Sequence, residues 1–145
     1  MNKSIVIAAA AAFALTLANC SNSQKSVSFR EGEHYFVRND VESVPDFLTT
    51  EAERDSALGM APVMGGLPTE IDFSTEVAVP ITLPVTNVAT EMDVTGVSVD
   101  GDTLVVSCRV ERGDVMSYSI RPFAMAIVNK ADVAGVRGVR IIEVE

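Results

Sequence analysis

Met92 to Val110, MDVTGVSVDGDTLVVSCRV, is the stretch whose reading decides the fold. Two β-rich runs flank Asp100-Gly101, and Asp-Gly between alternating apolar residues is a strong short-range hairpin signal. With Asp100 and Gly101 as the central turn residues, Val99 is expected to face Asp102, and Val97 to face Leu104. A period of two then gathers Val97, Leu104, Val106, Cys108 and Val110 on one face. Thr103, Val105, Ser107, Arg109 and Glu111 fall on the other face, which is mostly polar. Such a ribbon lays one face on a core and turns the other to water.

Working outward, Arg112-Gly113-Asp114 reads as a second turn, after which Val115 to Ile120 presents Met116, Tyr118 and Ile120 together. The same triplet is an integrin-type recognition sequence. Gly and Asp are also what any tight turn selects, so a bare tripeptide carries little. Pro122 ends that strand. Phe123 to Val128, FAMAIV, is apolar on both parities, as a central strand covered on both faces requires. Val139 to Val144 reads as a terminal strand.

Upstream, Glu76 to Leu83 alternates, with Val77, Val79, Ile81 and Leu83 on one side. Pro80 has no N–H for a ladder, which expects an edge strand or a bulge. Between Thr90 and Val99 the apolar parity changes at Gly96, so a bulge is expected there. Tyr35 to Arg38 is a short strand opened by His34, the only histidine, expected as a solvated strand-start residue. Thr50 with Glu53 makes a capping box for one short helix near 51–58, and Gly59 suits a left-handed C-terminal cap. The fold expected is all-β or β-dominated α+β. It is an antiparallel sandwich or curled sheet of about seven or eight strands with that one helix.

Residues 59–72, GMAPVMGGLPTEID, are too rich in Gly and Pro for regular structure and too apolar for a free linker. Two readings stand. Either the loop folds over the sheet and fills gaps in the core, or it offers Met60, Val63, Met64 and Leu67 to a partner. Arg121 and Phe123, beside the Pro122 break, join that partner-binding set.

The N-terminus is separate from the domain. Met1-Asn2-Lys3 followed by an apolar run from Ser4 to Ala18 describes an export signal, too short for a spanning helix. The domain division is therefore 1–19 signal, 20–28 polar tether (from Cys20 through SNSQKSVS) and 29–145 a single β-rich domain. The chain carries a net charge of −9, and loss of Lys3 with the signal makes it −10. An acidic chain without a basic run is repelled by nucleic acid, so no nucleic-acid partner is expected. Cys108, on the apolar hairpin face, is expected as a buried packing residue.

No constellation for chemistry is legible. Metal sites need His or Cys clusters, serine nucleophile elbows are absent, and Asp100 with Asp102 sits at a solvated turn. The expectation is therefore no enzyme activity, no catalytic residues, no metal and no cofactor.

Leu17-Ala18-Asn19-Cys20 resembles a bacterial lipobox, in which the cysteine becomes lipidated and heads the mature chain. Asn19 departs from the usual Gly, Ala or Ser at its position. The alternative is an ordinary cleaved signal with an incidental cysteine. A block of motifs carries a wider resemblance. These are Tyr35-Phe36-Val37-Arg38-Asn39, Gly59 to Gly65, Pro68 to Ser74, Val99 to Val106, and Ser117 to Phe123. Their order resembles lipoproteins of Bacteroidota. More distantly it is similar to the C-terminal domain of PrcB-type accessory lipoproteins of a surface protease complex. The expected Gly-Gly-Tyr-like turn before the hairpin is replaced by Glu91-Met92-Asp93. The resemblance implies a lipid-anchored outer-membrane protein that binds a protein partner such as a protease, as an accessory or inhibitor-like subunit. A small-molecule or glycan-binding lipoprotein of an uptake system, and a structural envelope protein, are the alternatives.

Overall fold

In the computed structural model, residues 24–61 and 66–145 are described. The first strands are β1 (Gln24–Ser26), β2 (Phe29–Glu31) and β3 (Tyr35–Val37). A helix, α1 (Glu51–Ala57), runs directly into β4 (Leu58–Met60). Then come β5 (Glu76–Thr82), β6 (Thr86–Asp100), β7 (Thr103–Ile120) and β8 (Phe123–Asn129). One turn of 3-10 helix (Lys130–Val133) leads to β9 (Gly138–Val144).

The β6–β7 hairpin is the longest element, and its turn differs by one step from the expected one. Asp100 pairs with Thr103, Val99 with Leu104 and Val97 with Val106. The central residues are therefore Gly101 and Asp102. Gly101 has φ of +66°, and a glycine at the first central position is what a tight hairpin turn takes at least cost. The apolar face is as the alternation implies, because a two-residue change of register preserves parity. Val97, Leu104, Val106 and Cys108 are buried. Val105, assigned by parity to the polar face, is buried as well; it lies in an inner strand between Ser98 of β6 and Arg140 of β9. The bulge expected at Gly96 is present: the pairing steps from Val94–Cys108 to Gly96–Ser107 and lets both Val94 and Val97 face inward.

Two sheets stack on this ribbon. The first has the order β1-β6-β7-β9 and the second β2-β8-β5, while β3 and β4 form a two-stranded pair. The first core lies between the two sheets: Val77, Val79, Ile81, Ala124, Ala126 and Val128 meet Val94, Leu104, Val106 and Cys108. A second core lies on the opposite face of β8. There Met125, Ile127 and Ala78 pack against Leu48, Tyr35, Val37, Leu58, Ala57 and Ile71. The β-dominated sandwich is thus backed by a third layer, and β8 is covered on both faces, as its uninterrupted apolar run requires. β5 is an edge strand of its sheet: Pro80 stands opposite Met125, and its nitrogen shares the parity of Ala78 N, which points outward to Leu48 O, so no ladder donor is lost.

Several expectations are corrected. β9 runs parallel to β7, so the first sheet is mixed and not antiparallel throughout. β8 belongs to the second sheet, so the chain passes from one sheet to the other at Arg121-Pro122. Arg112-Gly113-Asp114 is not a turn but lies within β7, where Gly113 and Asp114 bulge opposite the single residue Ala89. Gly59 does not cap the helix. It pairs with Phe36 in β4, and the extended residue Leu58 takes the cap. Thr50 does cap the N-terminus through Glu53 N (3.1 Å), while the Glu53 carboxylate reaches back to Thr49 N (2.7 Å). His34 is half-buried with φ of +68°, its ring against Gly66, and is not a simple solvated residue. The segment expected as a tether to Ser28 enters the sheet at Gln24, and Val27 is already core.

Candidate functional site

The end of the sandwich remote from the Gly101 turn is built by three connections. Leu83-Pro84-Val85 carries β5 into β6, Arg121-Pro122 carries β7 into β8, and residues 38–45 lead from β3 toward the helix. Two interactions fix them together. Leu83 N donates to Pro122 O at 3.1 Å, and Pro122 is buried. The Arg121 guanidinium donates from one arm to Val41 O and from the other to Glu42 O at 2.7 Å. A planar fork suits two neighbouring carbonyls, and bonds from a charged donor are stronger than neutral ones.

Val85 stands at the junction of the resulting clefts with 65% of its surface exposed. On one side a cleft of about 450 Å³ is lined by Phe36, Asn39, Val85, Ser119, Ile120 and Arg121. On another, about 580 Å³ is bounded by Asn39, Glu42, Pro84, Val85 and Arg121. A third hollow of about 310 Å³ lies between Leu83, Val85, Val88, Thr90, Arg112 and Pro122. Val115 pairs with Val88 across the ribbon and is 71% exposed, and Tyr118, 62% exposed, follows in the same strand. Phe36 is fixed over Gly59, where a Cβ would come within 2.2 Å of its ring. A side chain at position 59 would therefore dislodge the ring from the cleft wall.

The other arginines nearby are already engaged. Arg38 pairs with Asp40 at 3.3 Å, and its hydrogen bond holds the Asp40 carboxyl below its ordinary pKa. Arg112 grips both oxygens of Glu143, at 2.9 and 3.4 Å, and that bond lowers the Glu143 pKa. The clefts thus offer apolar contact and hydrogen bonding around a fixed guanidinium. Among the described residues no group of three or more His, Cys, Asp or Glu side chains is placed to hold a metal ion. Cys108 is fully buried in the first core, and burial pushes its thiol up to about 11.

The residues singled out from sequence are not one site. Arg121 lies in the clefts, yet its visible work is to clamp the 38–45 segment. Phe123 is half-buried and packs on the second core. Met60 pairs with Tyr35 at 45% exposure, and Leu67 is 80% exposed, but neither lines the clefts. Val63, Met64 and Cys20 lie outside the described residues. Sequence reading missed Phe36, Val85 and Val115. The available signal was Pro84 directly before Val85, a proline that keeps an apolar residue out of a regular ladder.

Compared with protein-family models, curated proteins and solved structures, the chain matches none of them.

Proposed function

We propose that this chain is a lipid-anchored protein of the bacterial envelope and a non-catalytic protein-binding module, holding its partner at the Val85 end of the sandwich. The observation that carries this reading is the convergence of exposed apolar side chains there. Val85 and Phe36 share one cleft, and Val85 and Val88 share another, with Val115 directly across from Val88. Single exposed apolar residues are ordinary on any surface; several around one set of clefts, beside connections pinned by Arg121 and Pro122, support the reading of a contact surface. The connections are held by a buried proline and a charged fork, so binding there need not first order a loop. The resemblance to PrcB-type accessory lipoproteins makes a surface protease the first partner to test.

A photo-crosslinking residue placed at Val85, with one at Asp132 at the opposite end as control, tests the proposal in intact cells. A discrete adduct from position 85 that is weakened by Val115→Asp is the expected result. Identical adducts from both positions, or none from position 85, would overturn the assignment of this surface.

A further inference from the structure

β1 and β6 are antiparallel, with Gln24 paired to Asp100, Lys25 to Val99 and Ser26 to Ser98. β1 therefore begins, at Gln24, beside the Gly101 turn, at the end opposite the Val85 clefts. Only Ser21, Asn22 and Ser23 separate Cys20 from Gln24. At roughly 3.3–3.6 Å per residue, those four steps reach at most about 14 Å. The binding end is far away by comparison: Asp100 and Thr86 are the two ends of β6, on the order of 40 Å apart along a strand rising about 3.3 Å per residue.

The lysines are distributed in the same sense. The only lysines after Cys20 are Lys25 and Lys130. Lys25 lies in β1 beside the turn. Lys130 begins the segment that crosses this end and returns to it where Arg137 N donates to Asp102 O at 2.7 Å. Arg140 stands near Asp100 at 3.6 Å. All four basic side chains are exposed, in company with Asp100, Asp102 and Asp132. A chain of net charge −10 once Lys3 has left with the signal thus keeps its two remaining lysines where it would otherwise be repelled by anionic headgroups.

We infer that the Gly101 end of the sandwich is the membrane-facing surface, where Lys25, Lys130, Arg137 and Arg140 meet phospholipid headgroup phosphates. The short reach from Cys20 holds that end against the bilayer and points the Val85 clefts away from it. This rests on the reading of Cys20 as the lipidated residue. Without the lipid, nothing would bring the end within reach of headgroups.

The test uses the full lipidated chain in vesicles of phosphatidylethanolamine and phosphatidylglycerol that carry a headgroup quencher. A fluorophore is attached through Asp102→Cys or through Val85→Cys; Cys108 is fully buried and stays unlabelled. Several-fold stronger quenching at position 102 than at 85 is expected. Twenty Gly and Ser residues inserted between Ser23 and Gln24 should bring position 102 down to the level of 85. Lys25→Glu with Lys130→Glu and Arg137→Glu should weaken its quenching while leaving the lipid in place. Equal quenching at both positions of a protein whose mass shows the lipid would overturn the orientation alone. A mass without lipid, with no sedimentation on vesicles, would overturn the anchor and the orientation together.

Discussion

The two halves of the β6–β7 ribbon have similar residue types and opposite fates. Near the turn, Thr103–Arg109 is flanked by β6 and β9, and the pairing is regular from Gly96–Ser107 to Asp100–Thr103. Leu104, Val106 and Cys108 are sealed against the second sheet. Beyond Arg109, β7 has only β6 beside it among the described residues, and the register is broken twice, between Val88 and Thr90 and between Thr86 and Val88. Val106 is completely buried and Val115 is 71% exposed, though both are valines of one strand. Burial follows from what covers a strand, not from the strand's own preference. The covered half holds the fold together, while the uncovered half is left free to meet something else.

The largest effect that would sharpen this contrast is at Leu104, which is buried between the sheets. Leu104→Ala should cost about 2–5 kcal/mol in urea unfolding, since it leaves a cavity in a rigid core. A cost below about 1 kcal/mol would mean that the near half is not the stabilising one. Arg121→Ala should follow at about 1.5–3 kcal/mol, from two charged hydrogen bonds lost, one to the half-buried Val41 and one to the exposed Glu42. Arg121→Lys should recover only part of this, because an ammonium cannot fork.

Cys108 gives the near half a pH signature. Its folded pKa is raised from 9.0 to about 11 by burial, with Glu31, Asp93 and Glu143 adding to the rise. A thiol that must stay neutral contributes stability below its unfolded pKa and loses it as pH climbs toward the folded one. Unfolding free energy should therefore fall between pH 9 and 11, by on the order of 2 kcal/mol. Cys108→Val should flatten that limb of the curve. Gly101→Ala should cost about 1 kcal/mol by forcing a left-handed residue at the turn. In the distal half, Val115→Ala should stay within about 0.5 kcal/mol. Gly113→Ala should do the same, since a Cβ there meets Ala89 at 3.5 Å, an ordinary contact. A larger loss at either position would show that the distal half is structural and not a free surface.

The near half was legible from alternation alone: Val97, Leu104, Val106 and Cys108 declare their common face by period two, and Met92 with Val94 declares the bulge by breaking it. FAMAIV was legible for the converse reason, as a strand with no polar side to spare. The course of β7 past Arg109 was not. Arg112-Gly113-Asp114 has the chemistry of a turn, but Gly113 and Asp114 spend it on a bulge inside a longer strand. The parallel placement of β9 was also hidden, since VRIIEV alternates alike in either direction. The clefts depend on three connections distant in sequence, and Arg121 reads as a surface charge until Val41 and Glu42 are seen beneath it.

The strand pairing has a consequence for how the chain acquires its shape. Phe29 lies against Val128, 99 positions away, and Gln24 against Asp100, 76 away. The β6–β7 hairpin closes locally across its two-residue turn, but the sheet that separates the two cores is missing its middle strand until β8 is present. Such a topology folds late and slowly, on a scale of milliseconds to seconds, with its apolar strands uncovered meanwhile. The two cores thus become complete only once β8, late in the chain, is in place between them.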